Sequence, residues 1–545
     1  MDNTKSFFGH PRGLATLFFT EMWERFSYYG MRALLVLFLV DAIARGGLGL
    51  DDKTATAIYG LYTAAVYVVA LPGGWVADRL IGAQKAVLYG GILISLGSFG
   101  LWLSQTAQMF YLGLIVIILG VGLLKPNISA LVAELYPEGG GRRDAGFTIF
   151  YMGINIGAFI GPLITAWLAQ VYGWRVGFMA AGVGMALGVL QFIITRHHLG
   201  GAGARPHVAA DTNSTVAWRS LWIGSAITAT LIALPLLGVV QVSPIQLSDY
   251  GIVVIISMAV LFFLYLLFVA GLDVIEKKRV LVLIVLFMAS ALFWSGFEQA
   301  GSSLNLFAER YTDRVVGTFT IPSGWFQSLN AIFIVVFAPV FSAMWVSLAR
   351  RNLDPSTPVK FALGLIGMAL GFLAMFLAAR IVTEGLPAAA YWLVLTYLLH
   401  TFGELCLSPV GLSSVTKLVP QRFVGQSLGI WFLAASLGNL IAGRIAGEFD
   451  AENVAAMPGQ YLDIFWFGMV VAIVLLLISP IVRRWMGGVA VVLAIILAMI
   501  LAAANTYLGL FAGMTIASAI PAAVVSMAVL RLFGGGGILE NNIVQ

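Results

Sequence analysis

The 545-residue chain predicts an all-α polytopic membrane protein with two six-helix bundles, a helix pair inserted between them, and two extra helices at the C-terminal end. The first observation behind this is composition: 60% of residues are hydrophobic and 10% charged, and the mean hydropathy is +0.96. The second is that apolar runs of bilayer-crossing length recur along the whole sequence. The third is their grouping, because the longest polar interruption, Arg196 to Arg219, falls after six of them.

Taken in order, the runs predict spans at 14–43, 54–78, 85–104, 109–133, 145–171 and 175–195 before the interruption. A pair at 218–240 and 250–272 follows, then a second set at 280–308, 325–349, 360–380, 389–416, 423–446 and 461–482, and finally 488–508 and 513–533. The domains expected from this are a first bundle at 1–200, a linker with the inserted pair at 201–277, a second bundle at 278–487 and the extra pair at 488–545. Placing the N-terminus in the cytoplasm assigns most of the 30 Lys and Arg to the cytoplasmic side, so both termini are expected inside a multi-pass protein of the inner (plasma) membrane. The formal net charge of +5 is scattered over span ends, which gives no nucleic-acid patch. A single cysteine, Cys406, excludes an intramolecular disulfide and a Cys-rich metal site. The first span is too long and too charged for a cleavable signal peptide.

That first span holds Glu21, Glu24, Arg25 and Arg32. Charges at membrane depth cost several kcal/mol on any scale and mark a protein interior or a water-filled path. At ~100° per residue Glu21, Arg25, Tyr28 and Arg32 share one helix face, flanked by Glu24 and Tyr29. Corresponding spans of the second half carry polar residues too: Trp294 and Glu298 answer the first span, and Glu404 with Ser408-Pro409 answers Lys125-Pro126-Asn127 of the fourth. Paired helix-breaking prolines at 126 and 409 point to a cavity between the halves, and six-plus-six is the outline of the major facilitator fold. The signs differ by half: Arg25, Arg32 and Lys125 lie in the first, Glu298 and Glu404 in the second. Such walls suit a zwitterion, with the carboxylate against arginine. The same charges could also pair with each other to hold the halves together, above all Arg32 with Glu298.

Glu21-x-x-Glu24-Arg25-Phe26-x-Tyr28-Tyr29-Gly30 resembles the first-helix motif of the proton-coupled oligopeptide transporters, the POT or PTR family. Phe150-Tyr151-x-x-x-Asn155-x-Gly157, Gly120-x-Gly122-x-x-Lys125-Pro126-Asn127 and Gly425-Gln426-Ser427-Leu428-Gly429-Ile430-Trp431 are similar to further segments of that family. Gly74-x-x-x-Asp78-Arg79-x-x-Gly82-x-x-Lys85 adds the general facilitator loop signal. The resemblance covers about residues 7–487, the inserted helix pair included. It implies a proton-coupled symporter importing dipeptides and tripeptides by alternating access, functional as a monomer in the lipid bilayer, with no cofactor and the proton gradient as energy source. Arg25 and Lys125 would receive the peptide carboxylate, Glu404 the amino terminus, and Asn155 and Asn330 the peptide backbone. Glu21, Glu24 and Arg25 would form the proton relay, and Arg32 with Glu298 an extracellular gate. Tyr28, Tyr29, Tyr67, Trp294, Ser427 and Trp431 would line the site. Phe297 stands where some bacterial members have a second acid, so that acid's role is not carried over. His400 is expected to be a packed helix residue and not a relay.

Residues 488–545 look like the opening helices of a different family, the OPT oligopeptide transporters, far shorter than that family needs. Rival function classes fare worse. The absence of any Gly-Lys dipeptide removes a phosphate-cradling loop and with it an ATP-driven pump. A hydrolase finds no His-Glu-x-x-His, metal cluster or serine nucleophile motif, so neither catalytic nor metal-binding residues are expected. The alternative that stays open is a major facilitator transporter for another small charged or zwitterionic solute, since fold does not specify substrate.

Overall fold

The computed structural model describes residues 7–137, 140–206, 214–449 and 453–486. The first half comprises α1 (Arg12–Val40), α2 (Asp52–Val76), α3 (Ala83–Leu103), α4 (Ala107–Glu134), α5 (Gly140–Tyr172) and α6 (Trp174–Thr195). The inserted pair is α7 (Ser214–Leu236) and α8 (Pro244–Leu264). The second half comprises α9 (Val274–Phe297), a short α10 (Ser303–Tyr311), α11 (Ser328–Arg350), α12 (Thr357–Thr383), α13 (Tyr391–Leu418), α14 (Val424–Gly447) and α15 (Met457–Trp485). Every span expected between residues 14 and 482 corresponds to a helix, and twelve helices among the described residues are long and apolar enough to cross a membrane. By that composition test α1 and α13 fall outside the twelve, α1 because its centre carries Glu21, Glu24, Arg25 and Arg32. The pair expected at 488–508 and 513–533 lies outside the described residues.

Local sequence sets the helix starts. Asp51 accepts a hydrogen bond from the Thr54 N–H at 2.9 Å to open α2, Thr106 caps α4, and Asp273 with Glu276 makes a reciprocal capping box on α9. Gly82 (φ 82°) and Gly173 (φ 94°) precede α3 and α6 in a backbone region that disfavours other residues.

Two expectations are corrected. The span expected at 280–308 is not one helix: α9 ends at Phe297, Glu298–Gly301 form a 3-10 turn, and α10 starts afresh at Ser303. An apolar run fixes the length of a span but not the continuity of its backbone. The prolines at 126 and 409 do not break their helices, since α4 and α13 both run through them. At Pro126 the neighbouring Asn127 amide donates to Leu123 O at 2.7 Å and to Gly73 O at 3.3 Å, which ties α4 to α2 where the proline weakens the ladder.

Each half has its own core. One cluster joins Leu17, Met31, Phe110, Phe178 and Phe192 across α1 to α6, and the other joins Phe293, Phe361, Phe372, Met375 and Tyr461 together with Ile255 and Phe263 of α8. α8 also packs on α2 and α14, whereas α7 is exposed along nearly its whole length. The halves meet most tightly at the end where α2 begins and α14 ends. There α2 and α14 approach through Gly60 and Gly443; a Cβ on Gly60 would lie 2.9 Å from Asn439 O. Hydrogen bonds cross between the halves from Asn305 Nδ2 to Ala33 O (2.9 Å), Ser328 Oγ to Phe159 O (2.7 Å), Trp325 Nε1 to Leu163 O (2.8 Å) and Ser436 Oγ to Ala64 O (3.0 Å). Arg310 holds Asp52 with two bonds of 2.6 and 2.8 Å. At about 1 kcal/mol each these bonds are modest alone, but together they close this end.

Within the first half, a Cβ on Gly73 would collide with the Gly122 carbonyl oxygen across the α2–α4 contact, whereas one on Gly459 of α15 meets nothing within 4 Å. Overpacking costs ~1–3 kcal/mol. Gly73→Ala is therefore expected to lower the thermal unfolding temperature of the detergent-solubilised protein by several degrees, and Gly459→Ala to leave it unchanged or raise it.

Candidate functional site

The four charged residues along the centre of α1 are buried: Glu24 is 0% exposed, and Glu21, Arg25 and Arg32 lie between 3 and 6%. Spacing of three and four residues brings Glu21 and Arg25 together, with Arg25 Nε donating to Glu21 Oε1 at 2.8 Å. Glu24 Oε2 lies 2.6 Å from the same nitrogen as an ion contact without hydrogen-bond alignment, so one guanidinium is shared by two acids. Glu24 has no hydrogen bond to either carboxylate oxygen, and Glu21 Oε2 and Arg25 Nη2 are likewise unmatched. Tyr28 lies beside Arg25, its ring centroid 5.5 Å from the guanidinium carbon, and faces Tyr62 of α2 at 6.2 Å.

Two turns further along α1, Arg32 Nη2 reaches Glu298 Oε2 of the second half at 2.9 Å. The α9 break places Glu298 there, at the first residue of the 3-10 turn. The guanidinium carbon of Arg32 is 5.6 Å from the Tyr29 ring and 5.7 Å from the Tyr59 ring. Arg32 and Glu298 line a cavity of about 80 Å³ together with Tyr29, Tyr67, Trp294, Asn330 and Glu404 among others. Small-molecule sites usually enclose ~300–1,000 Å³, so this cavity must widen to take a ligand larger than a few waters.

Glu404 is fixed by Asn330 of α11, whose Nδ2 donates to Glu404 Oε2 at 2.9 Å and to Thr401 Oγ1 at 3.0 Å. Both amide hydrogens of Asn330 are thereby committed, leaving its carbonyl oxygen for a ligand. Lys125 sits with its ammonium 3.9 Å from the Tyr67 ring centroid, a close cation–π contact. Asn155 is buried and bonds back to Tyr151 O at 3.0 Å within α5. Ser427 is buried with an unbonded hydroxyl. Trp431 is not among the lining residues of this cavity: it stands edge-on to Phe361 at 6.2 Å and against the backbone of Gly411. Tyr28, Arg25, Lys125, Asn155 and Ser427 also lie outside that enclosed lining.

The site contains residues that the sequence reading did not select. Gln327, Tyr397 and Phe297 line the cavity, as does His400, which sequence set aside. His400 Nε2 is 3.1 Å from Met368 O, an acceptor only, so that nitrogen carries the proton, and the ring packs on Phe372 at 5.1 Å. Tyr397, Thr401 and Glu404 follow the spacing of one helix face, a signal legible in the sequence once Glu404 is chosen. In total four carboxylates (Glu21, Glu24, Glu298, Glu404) face three cations (Arg25, Arg32, Lys125), and the interior charge balances when one proton is added.

Comparison with known proteins fits this arrangement. Residues 84–464 match the family described as PTR2, the POT family, and residues 488–545 are similar to the OPT oligopeptide transporter protein family. The chain is 42% identical to "Peptide transporter YePEPT" of Yersinia enterocolitica, covering 88% of this chain and 96% of that protein. It is 37% identical to the "Di-/tripeptide transporter" of Lactococcus lactis subsp. cremoris, covering 89% and 98%. Among solved structures, a peptide transporter POT in complex with sulfate superposes with a TM-score of 0.83 at 39% identity, covering 89% of this chain and 97% of that one. A POT family transporter in complex with 5-aminolevulinic acid gives 0.79 at 33% identity, covering 88% and 98%. The fold is thus that of the major facilitator transporters, and the chain belongs to the POT family.

Proposed function

We propose that this protein is a proton-coupled symporter that imports dipeptides and tripeptides across the bacterial inner membrane by alternating access. The observation that carries the reading is the division of charge between the halves, with buried Arg25 and half-buried Lys125 on one and a half-buried, Asn330-held Glu404 on the other. A dipeptide is a zwitterion whose carboxylate and ammonium suit those two walls. The names of the relatives support the same substrate class. In this reading the two bundles are 1–200 and 278–487, joined by the inserted helix pair, and the protein works as a monomer. The excess of Lys and Arg at one face supports cytoplasmic termini, which makes the tightly joined end the extracellular one. Arg32 with Glu298 then forms the outer gate, closed in this structure.

Coupling follows from Arg25 having two acidic partners. A peptide carboxylate that takes the guanidinium leaves Glu21 or Glu24 without its cation, and an unpaired buried carboxylate binds a proton more readily. Proton and peptide therefore favour each other's binding, and reciprocity requires that acidification tighten peptide binding by the same factor. A second reading, transport of another small zwitterion, is favoured by the similar transporter solved with 5-aminolevulinic acid.

Uptake of labelled dialanine into proteoliposomes with an inward proton gradient tests the substrate class. Arg25→Ala and Glu404→Gln are each expected to abolish concentrative uptake, and N-acetylated or amidated dialanine should compete at least about tenfold more weakly than the free peptide, the loss of one charge-assisted contact. Equal competition by all three forms would reject the two-wall site.

The double variant Glu21→Gln/Glu24→Gln separates coupling from binding. Proton-driven accumulation should fall to the level without a gradient, while counterflow, which needs only exchange of loaded carriers, stays within about threefold of wild type. Full accumulation by the double variant would place the relay elsewhere.

A further inference from the structure

Tyr59 of α2 is fully buried, yet nothing in the transport scheme uses it. Its ring lies 5.7 Å from the Arg32 guanidinium carbon, on a different helix from Tyr29 at 5.6 Å, so two aromatic faces border the cation that meets Glu298. Neither Tyr59 Oη nor Arg32 Nε makes a well-aligned hydrogen bond, so the contact is mainly one of shape and of ring against cation, with the hydroxyl close to the Arg32 side chain. The hydroxyl end of Tyr59 crosses to the second half and abuts Gly301, the last residue of the turn that begins at Glu298. A Cβ at position 301 would collide with Tyr59 Oη and Cζ and lie 2.7 Å from Cε2. The backbone at Gly301 is not among the positive-φ glycines, so conformation does not demand glycine there; space does. The backbone beneath Tyr59 is held, because the adjacent Gly60 packs closely on Asn439 and Gly443 of α14, and the ring itself is fully buried.

We propose that Tyr59 is a positioning residue of the outer gate: its ring steers Arg32 onto Glu298, and its tip seats in a socket that exists because residue 301 has no side chain. The proposal rests on the reading of Arg32 and Glu298 as a gate. Knob and socket belong to opposite halves, so they engage only when this end is closed, and the socket lies three residues from the gate acid in the same turn. Closure of the backbone and pairing of the charges are thereby made one event.

The test uses the full-length chain with Cys406→Ala and spin labels on Ile43→Cys and Val316→Cys, which are exposed at the closed end in opposite halves. Distances are measured in lipid nanodiscs without substrate, so the identity of the transported solute does not enter. Gly301→Ala is expected to shift the closed-to-open ratio toward open by roughly tenfold or more. Adding Tyr59→Leu to Gly301→Ala empties the collision and should restore the closed distance, which a misfolded protein would not do. Tyr59→Leu alone should broaden the closed distribution, with Tyr59→Phe staying close to wild type. A Gly301→Ala distribution identical to wild type, or a failure of Tyr59→Leu to restore closure, overturns the proposal. The variant Arg32→Gln/Glu298→Gln separates the two levels: if it opens this end while Gly301→Ala does not, the socket fails alone, and if neither opens it, the gate reading fails as well.

Discussion

Burying charge in an apolar bundle is the constraint on which the rest of this structure depends. A lone ion at membrane depth costs several kcal/mol and an imperfectly paired one not much less. Arg25 meets that cost by sharing its guanidinium between Glu21 and Glu24, and Arg32 meets it by reaching across to Glu298. The first solution stays within one helix and leaves several polar atoms unmatched. The second exists only while the halves are together. Charge neutralisation and domain closure are therefore linked through physics rather than through a dedicated signalling element, and a proton or a substrate carboxylate that alters either pair alters the conformational balance.

The rest of the molecule makes such a balance workable. Hydrophobic cores that lie mainly within each half let it move as a unit, and the contacts between halves at the closed end include glycine seams, single hydrogen bonds and the ion pairs Arg310–Asp52, Lys53–Glu448 and Arg32–Glu298. None of these is strong enough to lock the state alone. α8 lies over α2 and α14, so the inserted pair is in contact with the seam that has to open.

Much of this was legible in the sequence because hydrophobic length and intramembrane charge are one-dimensional signals. Fourteen spans, the α1 charge face and the membrane-depth charges Arg25, Arg32, Glu298 and Glu404 could be read from spacing and sign. What could not be read depends on three-dimensional proximity. In the run from Val280 to Ala308 the hint of a break given by Gly301-Ser302-Ser303 does not place the stop at Glu298, where the carboxylate meets Arg32. Pro126 and Pro409 suggested breaks that the helices absorb. That Trp431 packs edge-on to Phe361 was likewise not legible, because a motif fixes a residue's helix but not what its ring packs on. Tyr59 and Gly301, 242 positions apart, become a pair only after both halves are folded and docked.

The central claim is that Arg25 exchanges an acidic partner of its own helix for the substrate carboxylate, which then leaves that acid to take a proton. Proton linkage on binding measures this most directly: calorimetric titration of dialanine into the purified full-length protein, repeated in buffers of different ionisation enthalpy. Net proton uptake on binding is the predicted result in the wild type, reduced to near zero in Glu21→Gln/Glu24→Gln with binding retained. Dialanine binding with no proton uptake by the wild type at any pH where it transports, or undiminished uptake in the double variant, would contradict the account.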